Sequence, residues 1–530
     1  MENRTQHREA ENTGKSVATL CLGNGRAGAL ANIPVVSPDI FAHALVHMTR
    51  SGQRLVAFCA LPRNGSAGQE RDLTSPPGAF QLIAALADDA HQHIHLLSTM
   101  VEDSFASLTP RLPQAHLFER EMYEKYGLLP EGHPWLKPVR FSKTGGPGVG
   151  IMDFYRVEGD EVHEVAVGPI HAGIIECGHF RFQCLGELVM HLEISLGYHH
   201  RGAEQLLVGG PDMRSLPLLE TISGDASIAW TWAWCALMEG LSGMAPSPGG
   251  QVLRALGLEL ERLANHTGDL GALAGDVGFL PTQAWCGRLR GDWLNMSALL
   301  CGSRFGRGFV RPGGTAFDVD AKLLVLLKER LEATARDVEG ALAVLWNSPS
   351  VMARFTGIGK VEQKDARDLG LVGLAARACG LERDARRSHP MDGVPASPDP
   401  ATAPWGDVHA RARVRHEEIR SSVAFCRRLL ENFLDIGDEA PDSALAASAQ
   451  PGVISQLAPD SIAVSLVEAW RGEVCHMAVT GADGRIRAVQ CVDPSFHNWA
   501  GLALALRGQQ ISDFPLCNKS FNLSYCGHDV

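Results

Sequence analysis

This 530-residue chain lacks several signals, and each absence excludes a class of protein. It carries 48 Lys and Arg against 60 Asp and Glu, a formal charge of −12, with no basic stripe. This excludes a general nucleic-acid binder, which needs clustered cations to displace counterions from phosphates. The most apolar uncharged stretch, Ala226 to Met238, is shorter than the roughly 20 residues of a membrane-spanning helix.

Motifs for common cofactors are missing as well. None of the 13 Cys forms a CxxC pair, the compact signature of zinc and redox sites, so we expect most of them to be buried thiols. The stretch Gly145 to Gly150 precedes no Lys-Ser/Thr, and no Rossmann glycine fingerprint occurs, so neither a P-loop nor an NAD site is expected. No Cys set suits an iron–sulfur cluster, and we predict no metal site.

What is present indicates an ordinary globular protein, with 45% hydrophobic and 20% charged residues. We predict a disordered N-terminus at 1–16, a small α/β domain at 17–142, a linker at 143–160 and a large domain at 161–530. Met1 to Ser16 has no apolar core of a secretory signal, so cytoplasmic residence is expected. The fold class is α+β, the large domain being mainly α-helical with a β-rich entrance and a C-terminal hairpin.

Periodicity places several elements. Apolar runs at Leu55–Leu61 and His93–Ser98 predict strands. Leucines at intervals of three and four predict a helix running to about His266, and a second helix is predicted over Ala321–Trp346. These leucines are Leu253, Leu256, Leu260 and Leu263. Glu259 and Arg262, three apart on the first helix, could form a surface pair, although in the family that the motifs below resemble this helix lines the subunit core.

Other segments predict loops, a hairpin and packed aromatics. The Pro-rich stretches 383–404 and 438–459 are expected to be surface loops. Alternation at 474–478 and 486–490, around the turn residues 481–484, predicts a hairpin. Trp230, Trp232 and Trp234 diverge on a helix, which favours packing over a stacking platform.

Sequence motifs then point to a family. Phe118–Gly127 followed by Gly132–Pro134 resembles the signature of the small (30-kDa) peripheral-arm subunit of respiratory complex I. Downstream, Val167–Gly173, Gly178–Phe182 and Leu196–Glu204 are similar to the quinone-site (49-kDa) subunit of complex I and to membrane-linked nickel-iron hydrogenase large subunits.

Further motifs of the same subunits recur in order. They are Asn265-His266, Asp276-Val277-Gly278, Arg311–Gly314, Arg354–Gly359 and Trp405–Arg411. The ordered set covers residues from about 110 to 425, and the fused arrangement most resembles the large subunit of formate-hydrogenlyase-type (group 4) nickel-iron hydrogenases.

Departures from that family bear on chemistry. In the hydrogenases, two CxxC pairs hold nickel through four thiolates, because soft anionic sulfur suits the metal. Ser223 and Ala226 stand where the first pair is required, and near the C-terminus Cys517 and Cys526 lie nine positions apart. We therefore expect no nickel-iron centre. Without such ligands, we predict that the tail 513–525 is retained and packed.

The quinone site departs too. Gly224 aligns with the Tyr whose phenol donates a hydrogen bond to the quinone in complex I. His171 and His179 on the hairpin remain as groups that either bind a quinone head group or relay a proton, since His titrates near neutral pH. In the other interpretation, His171 and His179 are structural histidines at a subunit contact. The sequence leaves both interpretations open.

Three further residues are candidates. Asp225, in the altered loop, either handles a proton or caps the next helix, and the cap is favoured. Arg181 and Arg201 either anchor the acidic or cluster-proximal surface of an iron–sulfur partner, where a fixed cation raises the potential of the cluster, or form ordinary surface salt bridges.

The resemblance implies a peripheral subunit on the inner face of the cell membrane, within a complex I/hydrogenase-like oxidoreductase. It would dock a small iron–sulfur subunit and antiporter-like membrane subunits, and shape the cavity through which electrons reach a quinone-like acceptor. The competing interpretation is a non-catalytic scaffold, in which only the interfaces survive. A third, an active nickel-iron hydrogenase with unusual ligands, has no support from the Cys spacing. Whether the chain itself is catalytic stays open at this level.

Overall fold

The structure, a computed structural model, describes residues 17–63, 79–141, 148–173, 175–439, 454 and 456–530. The predicted disordered N-terminus, half of the Gly145–Gly150 stretch and most of the predicted 438–459 loop lie outside these residues. Within the described part of the chain, no helix has the length and hydropathy to cross a membrane.

The N-terminal domain is a mixed sheet with helices against it. Its elements are β1 (Leu20–Leu22), β2 (Ala27–Ala29), β3 (Val35–Val36), α1 (Pro38–Arg50), β4 (Arg54–Pro62), β5 (Phe80–Asp88), β6 (His93–Val101), β7 (Ser104–Ala106), α2 (His116–Tyr126) and β8 (Leu129–Glu131). The sheet order is β1-β6-β5-β4, with β3 parallel to β6. The strands predicted at Leu55–Leu61 and His93–Ser98 are confirmed within β4 and β6.

The β-rich entrance of the large domain is a three-stranded antiparallel sheet. It consists of β9 (Val162–Val167), β10 (His179–Leu185) and β11 (Leu188–Ser195), in the order β11-β10-β9. The inward face, with Phe180 and Phe182, packs on Phe514. In this order β11 pairs with β10 alone and is an edge strand of the sheet.

Long helices form the body of the large domain. They are α3 (Ala203–Leu207), α4 (Ser215–Ile222), α5 (Ser227–Ser242), α6 (Pro248–Asp276), α7 (Leu280–Cys301), α8 (Ala321–Trp346), α9 (Pro349–Phe355), α10 (Gln363–Asp368), α11 (Gly373–Arg377), α12 (Ala385–Ser388) and α13 (Val408–Glu439), with the short ladder β12 (Val310–Arg311) and β13 (Gly314–Thr315). The four predicted leucines are buried on α6, and α8 has the predicted bounds. However, α6 continues ten residues beyond His266, because Leu270 and Leu273 extend its buried face.

The C-terminal part returns to a sheet. Strands β14 (Ser461–Glu468), β15 (Glu473–Thr480) and β16 (Ile486–Val492) precede α14 (Pro494–Ala505), α15 (Phe514–Phe521) and α16 (Tyr525–His528). The predicted hairpin is confirmed as β15 and β16. The three tryptophans of α5 are buried in the core, as predicted, and the tail is packed.

The N-terminal segment joins the two sheets. β1 pairs with β6, whereas β2, only a few residues later, pairs with β14 and completes the order β16-β15-β14-β2. The apolar core beneath the N-terminal sheet accordingly includes Ile462, Val464 and Leu466 of β14. The two domains therefore share a continuous core.

Two segments considered for the surface are buried, at least in part. Glu259 and Arg262 pair at 3.3 Å, but both are buried. The 383–404 stretch is not wholly a surface loop, because it contains α12 and buries Asp384 and His389. These polar side chains are buried because each has a charged partner, Arg386 for Asp384 at 2.6 Å and Asp89 for His389 at 3.1 Å.

Candidate functional site

The loop Ser223–Ala226 joins α4 to α5 and meets the C-terminal tail. The Ser223 hydroxyl lies 3.3 Å from the Ser524 hydroxyl, which accepts a hydrogen bond of 2.9 Å from the Gly527 amide. Ser524 and Gly527 are three positions apart, the spacing of a CxxC pair. The tail therefore meets this loop through Ser524, and not through a thiol.

Cys517 and Cys526 are held elsewhere. The Cys517 sulfur lies 4.0 Å from the Arg411 guanidinium, and Cys526 donates its S–H to Glu176 at 3.0 Å. Burial raises the pKa of the Cys517 thiol to about 11, so it stays protonated at neutral pH. Neither supplies a thiolate to the loop.

An ion pair occupies the space beside Ser223. The Arg471 guanidinium, between β14 and β15, donates to both carboxylate oxygens of Asp225 at 2.6 and 2.8 Å and to the Asn522 carbonyl at 2.6 Å. Burial opposes ionisation, but the Arg471 charge outweighs it and holds the pKa of Asp225 below its ordinary value. Asp225 is therefore a fixed anion.

These groups do not fit a nickel-iron centre. The donors at the loop are neutral hydroxyls, whereas nickel in the hydrogenases that the sequence resembles takes thiolates, and the carboxylate beside them, Asp225, is already paired with Arg471. Among the residues that the structure describes, no group of three or more His, Cys, Asp or Glu side chains is arranged to hold a metal ion.

Asp225 is not the cap of α5, contrary to the favoured expectation. The N-cap residue is Ala226, with no side-chain cap bond. The helix start is satisfied by Glu261 of α6, whose Oε2 accepts from the Ile228 amide at 2.9 Å. Its other oxygen, Oε1, is buried and has no partner among the described residues. Burial raises the pKa of Glu261 to about 8, so it holds a proton at pH 7.

His171 lies within the connection between β9 and β10, and His179 is the first residue of β10. His171 Nδ1 lies 3.2 Å from the Glu176 carbonyl, and its ring is 6.0 Å from Phe180. The His179 ring packs 5.3 Å from Phe154, and burial lowers its pKa, so it is neutral at pH 7. Each ring has one nitrogen without a partner in the described structure, His171 Nε2 and His179 Nδ1.

The connection between β9 and β10, called the histidine connection below, contacts the C-terminal tail. The same tail reaches the Ser223–Ala226 loop. The Cys526 amide and thiol both donate to Glu176, and the Tyr525 ring lies against Gly178. Since Ser524 contacts Ser223, a continuous path of contacts leads from the histidine connection to Asp225. The candidates are thus neighbours by way of the tail, without direct contact between His171 or His179 and Asp225.

Arg181 lies on β10, and Arg201 lies just before α3. Arg181 pairs with Glu164 on β9 and stacks on Phe154 at 4.3 Å. Arg201 is exposed and donates to the Thr221 carbonyl at 2.9 Å, at the end of α4. Arg181 thus has an acidic partner within the chain, whereas the partners of Arg201 are the hydroxyl and carbonyl of Thr221.

A buried network of charges continues inward from Arg471. Its members are Glu259, Arg262, His266, Arg377, Asp384, Arg386, Glu418 and Glu468. At its centre Arg377 donates to Glu418 at 2.7 Å and to Glu468 at 2.6 Å. Burial raises the pKa of Glu468 to about 7. Arg262 donates to the backbone carbonyls of Glu468 and Ala469, which links the network to the Arg471 turn.

The sequence did not identify Arg471, Glu261 or Ser524. A signal for Arg471 was present, since three charged residues, Glu468, Arg471 and Glu473, interrupt a long apolar run of strand character. Charges at such a position are buried only when paired. Glu261 carries no comparable signal, because the amide that it binds, that of Ile228, is 33 positions away in the sequence.

Comparison with known families agrees with the two-part architecture. Residues 37–144 match the family described as respiratory-chain NADH dehydrogenase, 30 Kd subunit. Residues 276–529 match the respiratory-chain NADH dehydrogenase, 49 Kd subunit.

Individual relatives fall into two groups. Formate hydrogenlyase subunit 5 of Escherichia coli is 29% identical over 79% of this chain and 76% of its own length. Carbon monoxide-induced hydrogenase of Rhodospirillum rubrum is 28% identical over 68% of this chain and 97% of its own length. NADH-quinone oxidoreductase subunit 4 of Thermus thermophilus is 27% identical over 67% of this chain and 90% of its own length. The chain therefore carries fused 30-kDa-type and 49-kDa-type domains of the complex I family, and its homologues include both hydrogenase and NADH-quinone oxidoreductase subunits.

Proposed function

We propose that the chain is a peripheral-arm subunit of a membrane-associated oxidoreductase and takes part in electron transfer toward a quinone-like acceptor. The homology to NADH-quinone oxidoreductase subunit 4 carries this proposal. The chain would bind no cluster of its own and would dock a small iron–sulfur subunit and antiporter-like membrane subunits on the inner face of the cell membrane. The relatives' names, which describe subunits, support an assembly.

In this proposal the histidine connection faces the acceptor. His171 and His179 each present an unpartnered ring nitrogen that could donate to a quinone carbonyl or pass a proton. Asp225, held ionised by Arg471, would accept a proton only when that ion pair loosens. Arg201 would face the iron–sulfur partner, and Arg181 would contribute its charge from the hairpin.

A scaffold without redox chemistry is the second candidate. The Arg471–Asp225 pair supports it, because a bidentate ion pair fills the space beside Ser223 where the hydrogenase relatives' family places metal ligands. The absence of the quinone-site Tyr at Gly224 points the same way.

Substitution of Gly224 by Phe separates the two functions. A Cβ at Gly224 meets only the Arg307 guanidinium, at 3.6 Å, so the backbone accepts a side chain there. In a redox subunit, Gly224→Phe should leave the complex assembled and reduce quinone turnover at least tenfold. The measurement is quinone reduction by the complex purified in mild detergent from native membranes.

The matched control is Gly287→Phe, on the exposed side of α7, where nothing lies within 4 Å. It should leave both assembly and turnover unchanged. Full turnover in the Gly224→Phe complex would reject the redox proposal in favour of the scaffold.

A further inference from the structure

A large cleft lies between the N-terminal domain and the entrance sheet. It encloses about 790 Å³ and is bordered by α2 on one side and by β11 and α14 on the other. Trp135, Tyr155 and His191 form one wall, with ring centroids 4.6 to 6.4 Å apart. Its volume is in the range of ligand-binding pockets, and it is separate from the Ser223 loop.

The cleft follows an open sheet edge. β11 pairs with β10 on one side only, and at its start Val189 exchanges backbone hydrogen bonds with Gly508 and Gln509. From Met190 to Ser195 the strand borders the cleft, and within the described residues no backbone group of another segment bonds to this edge. An uncovered edge is a template for a further strand.

Residues that line the same space carry buried polar groups without partners. Trp499 Nε1 and the Ser195 hydroxyl, both in side chains 4% exposed, have no hydrogen-bond partner in the described structure, and neither has His191 Nε2. Buried donors without acceptors are costly, because each has lost its hydrogen bonds to water without replacing them. An occupant with carbonyl oxygens would satisfy them.

Charge at the rim is also uncompensated. The half-buried Asp365 carboxylate and the exposed Arg507 guanidinium both line the cleft, and neither forms an ion pair with a described residue. Asp365 would therefore pair with a basic group of an occupant, and Arg507 with an acidic one. A polypeptide supplies backbone carbonyls, alternating side chains and both charges together.

We propose that the cleft receives an extended segment of a partner subunit, which adds a strand to the edge of β11. The segment places backbone carbonyls against Trp499 and Ser195, a basic side chain on Asp365 and an acidic one on Arg507. This interaction is independent of the choice between redox subunit and scaffold.

Hydrogen exchange tests the added strand directly. Peptides covering 189–196 are compared by mass spectrometry in the isolated full-length chain and in the complex purified from native membranes. We expect those amides of 190–195 that point away from β10 to exchange at least tenfold more slowly in the complex. Equal exchange in both samples overturns the proposal.

Photo-cross-linking identifies the occupant. A benzoylphenylalanine at Ala503, which lines the cleft from α14, should cross-link in the native complex to a segment of another subunit. Cross-links confined to this chain, or to a small molecule, overturn the proposal. Ala503→Arg should release that subunit, whereas Ala333→Arg, at an exposed position of α8, should not. Retention of all subunits by a folded Ala503→Arg chain also contradicts it.

Discussion

The environment of Glu261 sets the charge of this residue. Its carboxyl group satisfies the first turn of α5 through one oxygen and leaves the other buried without a partner among the described residues. A carboxylate in that position would lose hydration without a countercharge in contact, so the neutral acid is favoured. The pKa of about 8 expresses this preference.

Replacing Glu261 with Gln should therefore change the pH dependence of stability. The ordinary pKa is 4.5, so between about pH 4.5 and 8 only the folded state holds the proton. Unfolding then releases a proton, and the free energy of unfolding falls as pH rises, by up to about 1.4 kcal/mol per pH unit. Gln cannot ionise, and the variant should lack this fall.

The measurement is the thermal unfolding midpoint of the wild-type chain and the variant at pH 6 and pH 8.5. Relative to the wild type, the unfolding midpoint of the variant should be higher at pH 8.5 than at pH 6. Glu329→Gln, at an exposed position of α8, serves as the control and should follow the wild type. A parallel pH dependence of Glu261→Gln and wild type would show that Glu261 is ionised when folded.

Individual side chains also mark the limit of sequence reasoning. A cap is a local interaction, and a carboxylate before a helix start favours that interpretation of Asp225. Its actual partner, Arg471, lies 246 positions away, and no local pattern connects them. The same holds for Ser223 and Ser524, 301 positions apart. The motif order drew attention to this loop, but its partners depend on the tertiary fold.

Among the elements, α16 is tied to the entrance sheet by the residue that follows it. The Asp529 carboxylate accepts from the Gly197 amide at 2.9 Å and from the His199 amide at 3.0 Å, just after β11. Hydrogen bonds to a charged acceptor are worth about 1.5–3 kcal/mol each. They hold α16 and Ser524 against the loop.

Asp529→Ala should release this end of the chain. We expect faster proteolytic removal of the last residues and a lower unfolding midpoint, corresponding to about 2–4 kcal/mol for the loss of these bonds. Limited carboxypeptidase digestion followed by mass spectrometry measures the first effect. Asp292→Ala, on the exposed face of α7, is the control. Resistance equal to wild type would mean that packing alone holds α16.

Periodicity predicted elements well where one face is apolar. The bounds of α8 and the β15–β16 hairpin were predictable because apolar residues repeat with the helical period in α8 and at every second position in the strands. The 383–404 stretch was not, because Pro and charge indicate solvent exposure unless partners exist. Arg386 is buried there only because Glu259 and Asp384, 2.9 and 2.6 Å away, neutralise it.

At the scale of the molecule, the junction between the domains is mostly buried. Arg54 on β4 pairs with Glu473 on β15 at 2.8 Å, and the Asn24 side chain bonds both backbone groups of Leu466. Breaking a buried ion pair costs about 3–5 kcal/mol. The covalent link near residue 150 is therefore not the main connection between the two domains.

Cutting the chain tests this. A protease site inserted between Gly148 and Val149, both exposed, would separate residues 1–148 from 149–530. After cleavage, the two pieces should co-elute as one species on size exclusion. Arg54→Ala should lower the urea concentration that separates them, whereas Arg288→Ala, in an exposed ion pair, should not. Separation of the wild-type pieces in buffer would contradict a shared core.

The strand β2 also has a consequence for biosynthesis. Asn24 beside it bonds Leu466, a residue 442 positions later. At about 5–20 residues per second, the ribosome needs roughly 20 to 90 s to make that partner. For this interval the nascent chain exposes the surface that β14 later covers. Translation speed and chaperone occupancy, more than local propensity, would then govern the yield of native protein.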